Sequence, residues 1–131
     1  MKLLKLACCA VLLWQGGVAQ ACGVCVEDKV AATYDYAVVQ QAKARGQMVV
    51  FCEVDGPVDA ARIRHVARGV RGLDSTSVRV SEVPAALSFS LDVSKLSPQA
   101  AAQTIEKGLT KGVQIKLLRL IDTHGQLRAA K

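Results

Sequence analysis

The sequence predicts an α+β fold: a four-stranded antiparallel sheet in the order β-α-β-β-α-β, preceded by one additional helix. Three observations carry this expectation. Short runs rich in β-branched and aromatic residues alternate with period two. Segments between them repeat apolar residues at steps of three and four. Glycine or proline stands at most of the junctions.

In chain order, the spacing predicts a helix over residues 26–45, where Val26, Val30, Tyr34, Ala37, Val38 and Gln41 recur on one side and Gly46 ends the pattern. "MVVFCEV" (48–54) predicts a strand, and "DGP" (55–57) a turn. Asp59 then stands in the first turn of a helix whose apolar face is Ile63, Val66, Ala67 and Val70, stopped at Gly72. "SVRV" (77–80) and "AALSFSLDV" (85–93) predict strands on either side of Pro84. The second alternates, with Leu87, Phe89, Leu91 and Val93 on one face and Ser88, Ser90 and Asp92 on the other. Ser97-Pro98 marks a helix start, because Ser can cap and Pro suits the first helical position. Ala101, Ile105 and Leu109 point inward along that helix, which fades at Gly108 or Gly112. "VQIKLLRLI" (113–121) predicts the last strand, followed by a loose tail. From residue 48 this order is the ferredoxin-like split arrangement, with two helices on one sheet face. Val49 and Phe51 should point to the other face, so the first helix is expected to lie across it or to pack on a partner.

The first residues, "MKLLKLACCAVLLWQGGVAQA", carry the features of a secretory signal. Lys2 and Lys5 make a positive start, an apolar run follows from about Leu6 to Val18, and Ala19-Gln20-Ala21 supplies a small-x-small cleavage pattern. The apolar run is short for a membrane span, which needs roughly 20 residues. A retained anchor and a lipoprotein acylated at Cys22 are the alternatives. Cleavage after Ala21 leaves 110 of the 131 residues, with 15 Lys and Arg against 11 Asp and Glu. The excess charge is mild. Arg64, Arg68 and Arg71 would line one helical stripe, but few aromatics accompany them, so no nucleic-acid partner is expected.

Between about Met48 and Ile121 the chain resembles the heavy-metal-associated domain family. The segments that carry the likeness are "VDGPVDAARIRHVARGVRGLDSTSVRV" and "LSFSLDVSKLSPQAAAQTIEKGL". The resemblance implies the ferredoxin-like fold and a role in carrying copper, zinc or mercury. That family places a Gly-Met-x-Cys-x-x-Cys motif in the loop after its first strand. Here Asp59 and Arg62 hold the two cysteine positions, and neither suits a soft metal. The resulting division is a signal peptide (1–21), a Cys-x-x-Cys with the first helix (22–46), the domain similar to this family (47–122) and a tail (123–131).

A Cys-x-x-Cys does occur in "ACGVCVEDK" (21–29), at the expected start of the mature chain and leading into a helix. Cys22 and Cys25 can converge on one soft ion, Cu(I) first, with Hg(II) or Zn(II) as alternatives. A helix N-terminus favours negative charge and so suits metal-bound sulfur, whereas Glu27 and Asp28 place like charge beside it. After cleavage the α-amine of Cys22 could join the two sulfurs. A redox couple would use the same pair, but no strand is predicted ahead of Cys22 as the thioredoxin pattern requires. A structural disulfide, Cys22–Cys25 or one of them with Cys52, is the third possibility after export. Cys52 alternates with Val50 and Val54 and is expected to be buried.

The remaining candidates are weaker. His65 should lie on the exposed side of its helix. Asp122 and His124 in "DTHGQ" could form a hard-metal or acid–base pair. Tyr34 and Tyr36 should divide into one packed and one exposed ring. No nucleophile elbow or phosphate loop is present, so an enzyme is not expected. The sequence therefore points to an exported protein, periplasmic or secreted, that binds or carries a soft metal through Cys22 and Cys25. Its partner would be a metal-transport or redox protein. The alternatives are a thiol–disulfide protein and a module that lost its metal site and binds another protein.

Overall fold

The computed structural model describes residues 25–130. Its elements are α1 (Val26–Thr33), α2 (Tyr36–Ala44), β1 (Met48–Asp55), α3 (Ala60–Arg68), β2 (Arg79–Glu82), β3 (Ala85–Leu91), α4 (Pro98–Lys107), β4 (Gln114–Ile121) and β5 (Leu127–Ala129). A short 3-10 turn at Ser75–Ser77 precedes β2.

The strands form one antiparallel sheet in the order β2-β3-β1-β4-β5. Its first four members, with α3 and α4 as crossovers, make the ferredoxin-like β-α-β-β-α-β order. Alternation along β1 divides the core in two. Val50, Cys52 and Val54 face α3 and α4, where Ile63, Ala67, Leu87, Phe89 and Ile105 join them. Val49 and Phe51 face the other way and pack with Val38, Val39, Ala42 and Ile121 under α1 and α2. The N-terminal helical segment thus covers the second face, which would otherwise expose apolar β1 side chains to water.

That segment is two helices, where the periodicity of residues 26–45 predicts one. Asp35 explains the break. Its carboxylate accepts from the backbone N–H of Ala37 at 2.9 Å and of Val38 at 3.3 Å, so it caps a new helix rather than continuing the old one. The carbonyl of Thr33, at the end of α1, accepts from the hydroxyl of Ser88 at 2.9 Å. Ser88 and Ser90 are consequently buried although they form the polar side of β3.

Other departures are local. The strand after Pro84 stops at Leu91, leaving Val93 exposed. Part of the tail, expected to be loose, forms β5 and pairs with β4 from Arg119 to Ile121. The pairing of β4 with β1 shifts by one residue between Phe51 and Cys52, opposite Arg119 and Leu117. This bulge leaves Leu118 as the extra residue and re-phases β4, so that Arg119 and Ile121 both meet the α1–α2 side. Gly56 (φ 114°) permits a close approach: a Cβ there would lie 2.4 Å from the carbonyl oxygen of Gly112.

Candidate metal centre

Cys22 lies outside the described residues; Cys25 stands at their start, as the N-cap position of α1. Its backbone is extended (φ −71°, ψ 167°), and its carbonyl accepts from the N–H groups of Asp28 and Lys29 at 3.1 and 3.2 Å. The side chain is exposed and does not cap the helix. Instead its Sγ donates to Oδ2 of Asp28 at 3.2 Å, one turn along.

The neighbouring charges are engaged elsewhere. Glu27 accepts from Arg119 of β4 at 3.0 Å, and Lys29 pairs with Glu53 of β1. These two contacts tie α1 to the sheet and leave the Asp28 carboxylate beside the sulfur. The first turn therefore presents one soft donor and one hard donor to solvent.

Cys52 has the opposite environment. It is 1 % exposed, packed among the α3–α4 core residues, and burial pushes its thiol well above the ordinary range. Cys25 and Cys52 are both free thiols. They belong to opposite sides of the sheet, because α1 packs where Val49 and Phe51 point and Cys52 points away. A bridge between Cys25 and Cys52 would have to cross the sheet, which the geometry of a disulfide does not allow.

Asp59 and Arg62, which the sequence resemblance expects at a metal motif's cysteine positions, have structural work. Asp59 caps α3 by accepting from the N–H of Arg62 at 3.1 Å. The Arg62 guanidinium donates to the carbonyl of Gly108 at 3.2 Å and so links α3 to the end of α4.

His65 and His124 are exposed. The Asp122 carboxylate is committed to the β4–β5 connection, accepting from the N–H groups of Gln126 and His124 and from Arg128 Nε. The Gln126 bond leads the causes that hold its pKa below the ordinary value. The His124 contact runs through the backbone, so the acid–base pairing that the sequence suggests is instead a turn device.

Among the described residues, no group of three or more His, Cys, Asp or Glu side chains converges as a metal site. A centre at the start of α1 would have to draw on Cys22. One feature of this end of the molecule lay beyond sequence reasoning: a groove of about 300 Å³ lined by Glu27, Val30, Ala31, Tyr34, Arg119 and Leu127. Tyr34 stacks on Phe51 there, ring centroids 6.4 Å apart, while remaining 47 % exposed. Leu127 is the one large apolar residue of the tail 123–131. No helix among the described residues is long and apolar enough to cross a membrane.

No protein-family model matches the chain, and neither the curated proteins nor the solved structures provide a match.

Proposed function

We propose that this protein binds a soft metal ion, Cu(I) first, through the thiols of Cys22 and Cys25, and passes it on without catalysis. The observation that carries the reading is the exposed Cys25 sulfur at the N-cap of a helix anchored to the sheet, three residues after a second cysteine. Two sulfurs at that spacing suit a two-coordinate soft cation and discriminate against hard ones. The α-amine of Cys22, if the leader is removed after Ala21, adds a third donor. The antiparallel sheet order agrees with what the resemblance to the heavy-metal-associated family implies. The residues at that family's usual ligand positions serve as a cap and a tether, so the ion would be held on the opposite side of the sheet. The metal is cargo, and a recipient would take it by exchange with its own thiols.

The test is a competition titration of the reduced protein against a Cu(I) chelator. Replacing Cys22 or Cys25 with Ser should cost most of the affinity, whereas Cys52→Ala should leave it nearly unchanged. Equal affinities for the wild type and the Cys22/Cys25 double variant would rule the clamp out. Catalysed insulin reduction that disappears in Cys25→Ser would assign the pair to thiol–disulfide exchange instead.

A further inference from the structure

Of the 17 Lys and Arg residues, Lys2, Lys5 and Lys131 lie outside the described range. Seven of the other fourteen pair with a carboxylate, and all seven stand on α1, on strands or in connections. None is on α3 or α4. Lys43 of α2 is unpaired, and the remaining six all lie on α3, on α4 or in the turns that follow them. Arg62, Arg64 and Arg68 lie on α3 and Arg71 in the turn after it; Lys107 ends α4, and Lys111 follows. The Arg62–Gly108 hydrogen bond joins the two helices at the end where Lys107 and Lys111 stand.

The carboxylates of Asp59 and Glu106, at the helix ends joined by that bond, are occupied. Asp59 caps α3, and Glu106 accepts from the N–H of Ile115 at 2.9 Å. α3 itself contains no acidic residue. The positive excess is therefore gathered on the α3–α4 surface, while charges elsewhere are largely neutralised in pairs.

From this segregation we propose that the α3–α4 surface docks on an anionic phospholipid bilayer. Phosphate headgroups complement a spread of guanidinium and ammonium groups, each worth about 1 kcal/mol near such a surface. The surface lacks what other partners need. Among the described residues, the exposed large apolar side chains are Tyr34, Tyr36, Val83, Val93 and Leu127, none of them on α3 or α4. A protein interface draws its affinity from apolar and aromatic anchors, and single-stranded nucleic acid stacks on aromatic rings. An exported chain also meets phospholipid rather than nucleic acid. Docked this way, the molecule would hold α1 and Cys25 on the side of the sheet facing away from the bilayer. The inference does not depend on metal binding and can stand or fall separately from it.

Co-sedimentation of the purified chain with vesicles tests it. Binding should be strong to mixed phosphatidylglycerol–phosphatidylcholine vesicles, weak to phosphatidylcholine alone, and should fall steeply with added salt. Arg64→Gln/Arg68→Gln/Arg71→Gln should weaken the phosphatidylglycerol-dependent part on the order of 100-fold. Arg45→Gln/Lys116→Gln/Arg128→Gln removes the same charge from paired positions and should weaken it less than about threefold. Should the first triple variant fold poorly, Lys107→Gln/Lys111→Gln tests the same surface at two exposed positions, with an expected loss of about tenfold or more. Equal losses in the two triple variants would overturn the proposal, as would binding indifferent to phosphatidylglycerol. Tighter binding to a duplex DNA oligonucleotide than to the vesicles would reassign the surface to nucleic acid.

Discussion

Cys25 donates its thiol hydrogen to the carboxylate of Asp28, 3.2 Å away, within the first turn of α1. Both residues are exposed, and the turn that holds them is fixed by Glu27–Arg119 and Lys29–Glu53. The sulfur thus sits on an anchored backbone with a displaceable partner. A reagent or an ion has only to replace one exposed hydrogen bond to reach it.

Thiol reactivity should consequently divide sharply along the chain. Cys25 should alkylate with iodoacetamide under native conditions, while Cys52 reacts only through opening of the core. A core position opens with free energies approaching global unfolding, so its rate should be at least about 1000-fold lower. Peptide mass spectrometry after timed alkylation reads both rates together. Comparable rates would mean that Cys52 is not buried among the α3–α4 core residues.

Asp59 and Arg62 give a test that separates fold from metal. Asp59→Ala removes the α3 cap and should lower stability by about 1 kcal/mol, measured by urea unfolding. Replacing both residues with Ala should leave Cu(I) affinity nearly unchanged. A large loss of affinity in a variant that remains folded would place the ion at the loop between β1 and α3.

Much of the sheet was legible from local pattern. The alternation of Leu87, Phe89 and Leu91 against Ser88 and Ser90 requires no knowledge of partners, and Ser97 caps α4 by accepting from the N–H of Ala100. The break at Asp35 was hidden because Tyr34, Ala37 and Val38 continue a helical period across it. The strand β5 was hidden for a different reason. Three residues carry too little pattern, and the Asp122 carboxylate that organises the turn before them shows its role only with its donors in place. At the candidate site, the Cys-x-x-Cys and the helix start were visible in sequence. The engagement of its neighbouring charges was not, because Glu27 pairs with Arg119, 92 residues away. The gathering of unpaired cations on α3, α4 and the turns after them is equally non-local: it emerges only when the other cations, Lys43 excepted, have found their carboxylates.

Acid should undo a different junction. Asp35 has its pKa held below 3.8, first by the hydrogen bond from Arg79 and then by the backbone N–H of Val38. A carboxyl depressed on folding contributes stability above its unfolded pKa, and the contribution disappears as pH falls through the folded value. Asp35→Asn should therefore be less stable than wild type at neutral pH, and the two should converge as the pH drops below about 3.8. Thermal midpoints for both proteins across that range provide the check. A gap that persists unchanged to the lowest pH would show that the Asp35 charge contributes nothing.

Phe51 bears on whether the α1–α2 layer is integral to the fold. Its ring is 1 % exposed, stacked by Tyr34 and packed with the α1–α2 residues against the sheet. That core is small: Val38, Val39, Ala42, Val49 and Ile121 are its other buried members. Truncating Phe51 removes the largest of them, and the remaining side chains are too short to close over the space. Phe51→Ala should cost about 3–5 kcal/mol. The loss should also be directional. The α3–α4 core draws on the alternate residues of β1, so the sheet has its own apolar layer without Phe51, whereas α1 and α2 lose their main contact. Limited proteolysis should then cut first around Tyr34–Tyr36, where the two helices meet, before cleavage appears in the sheet. Global unfolding with no early cut at that junction would show that both faces of the sheet form one cooperative unit.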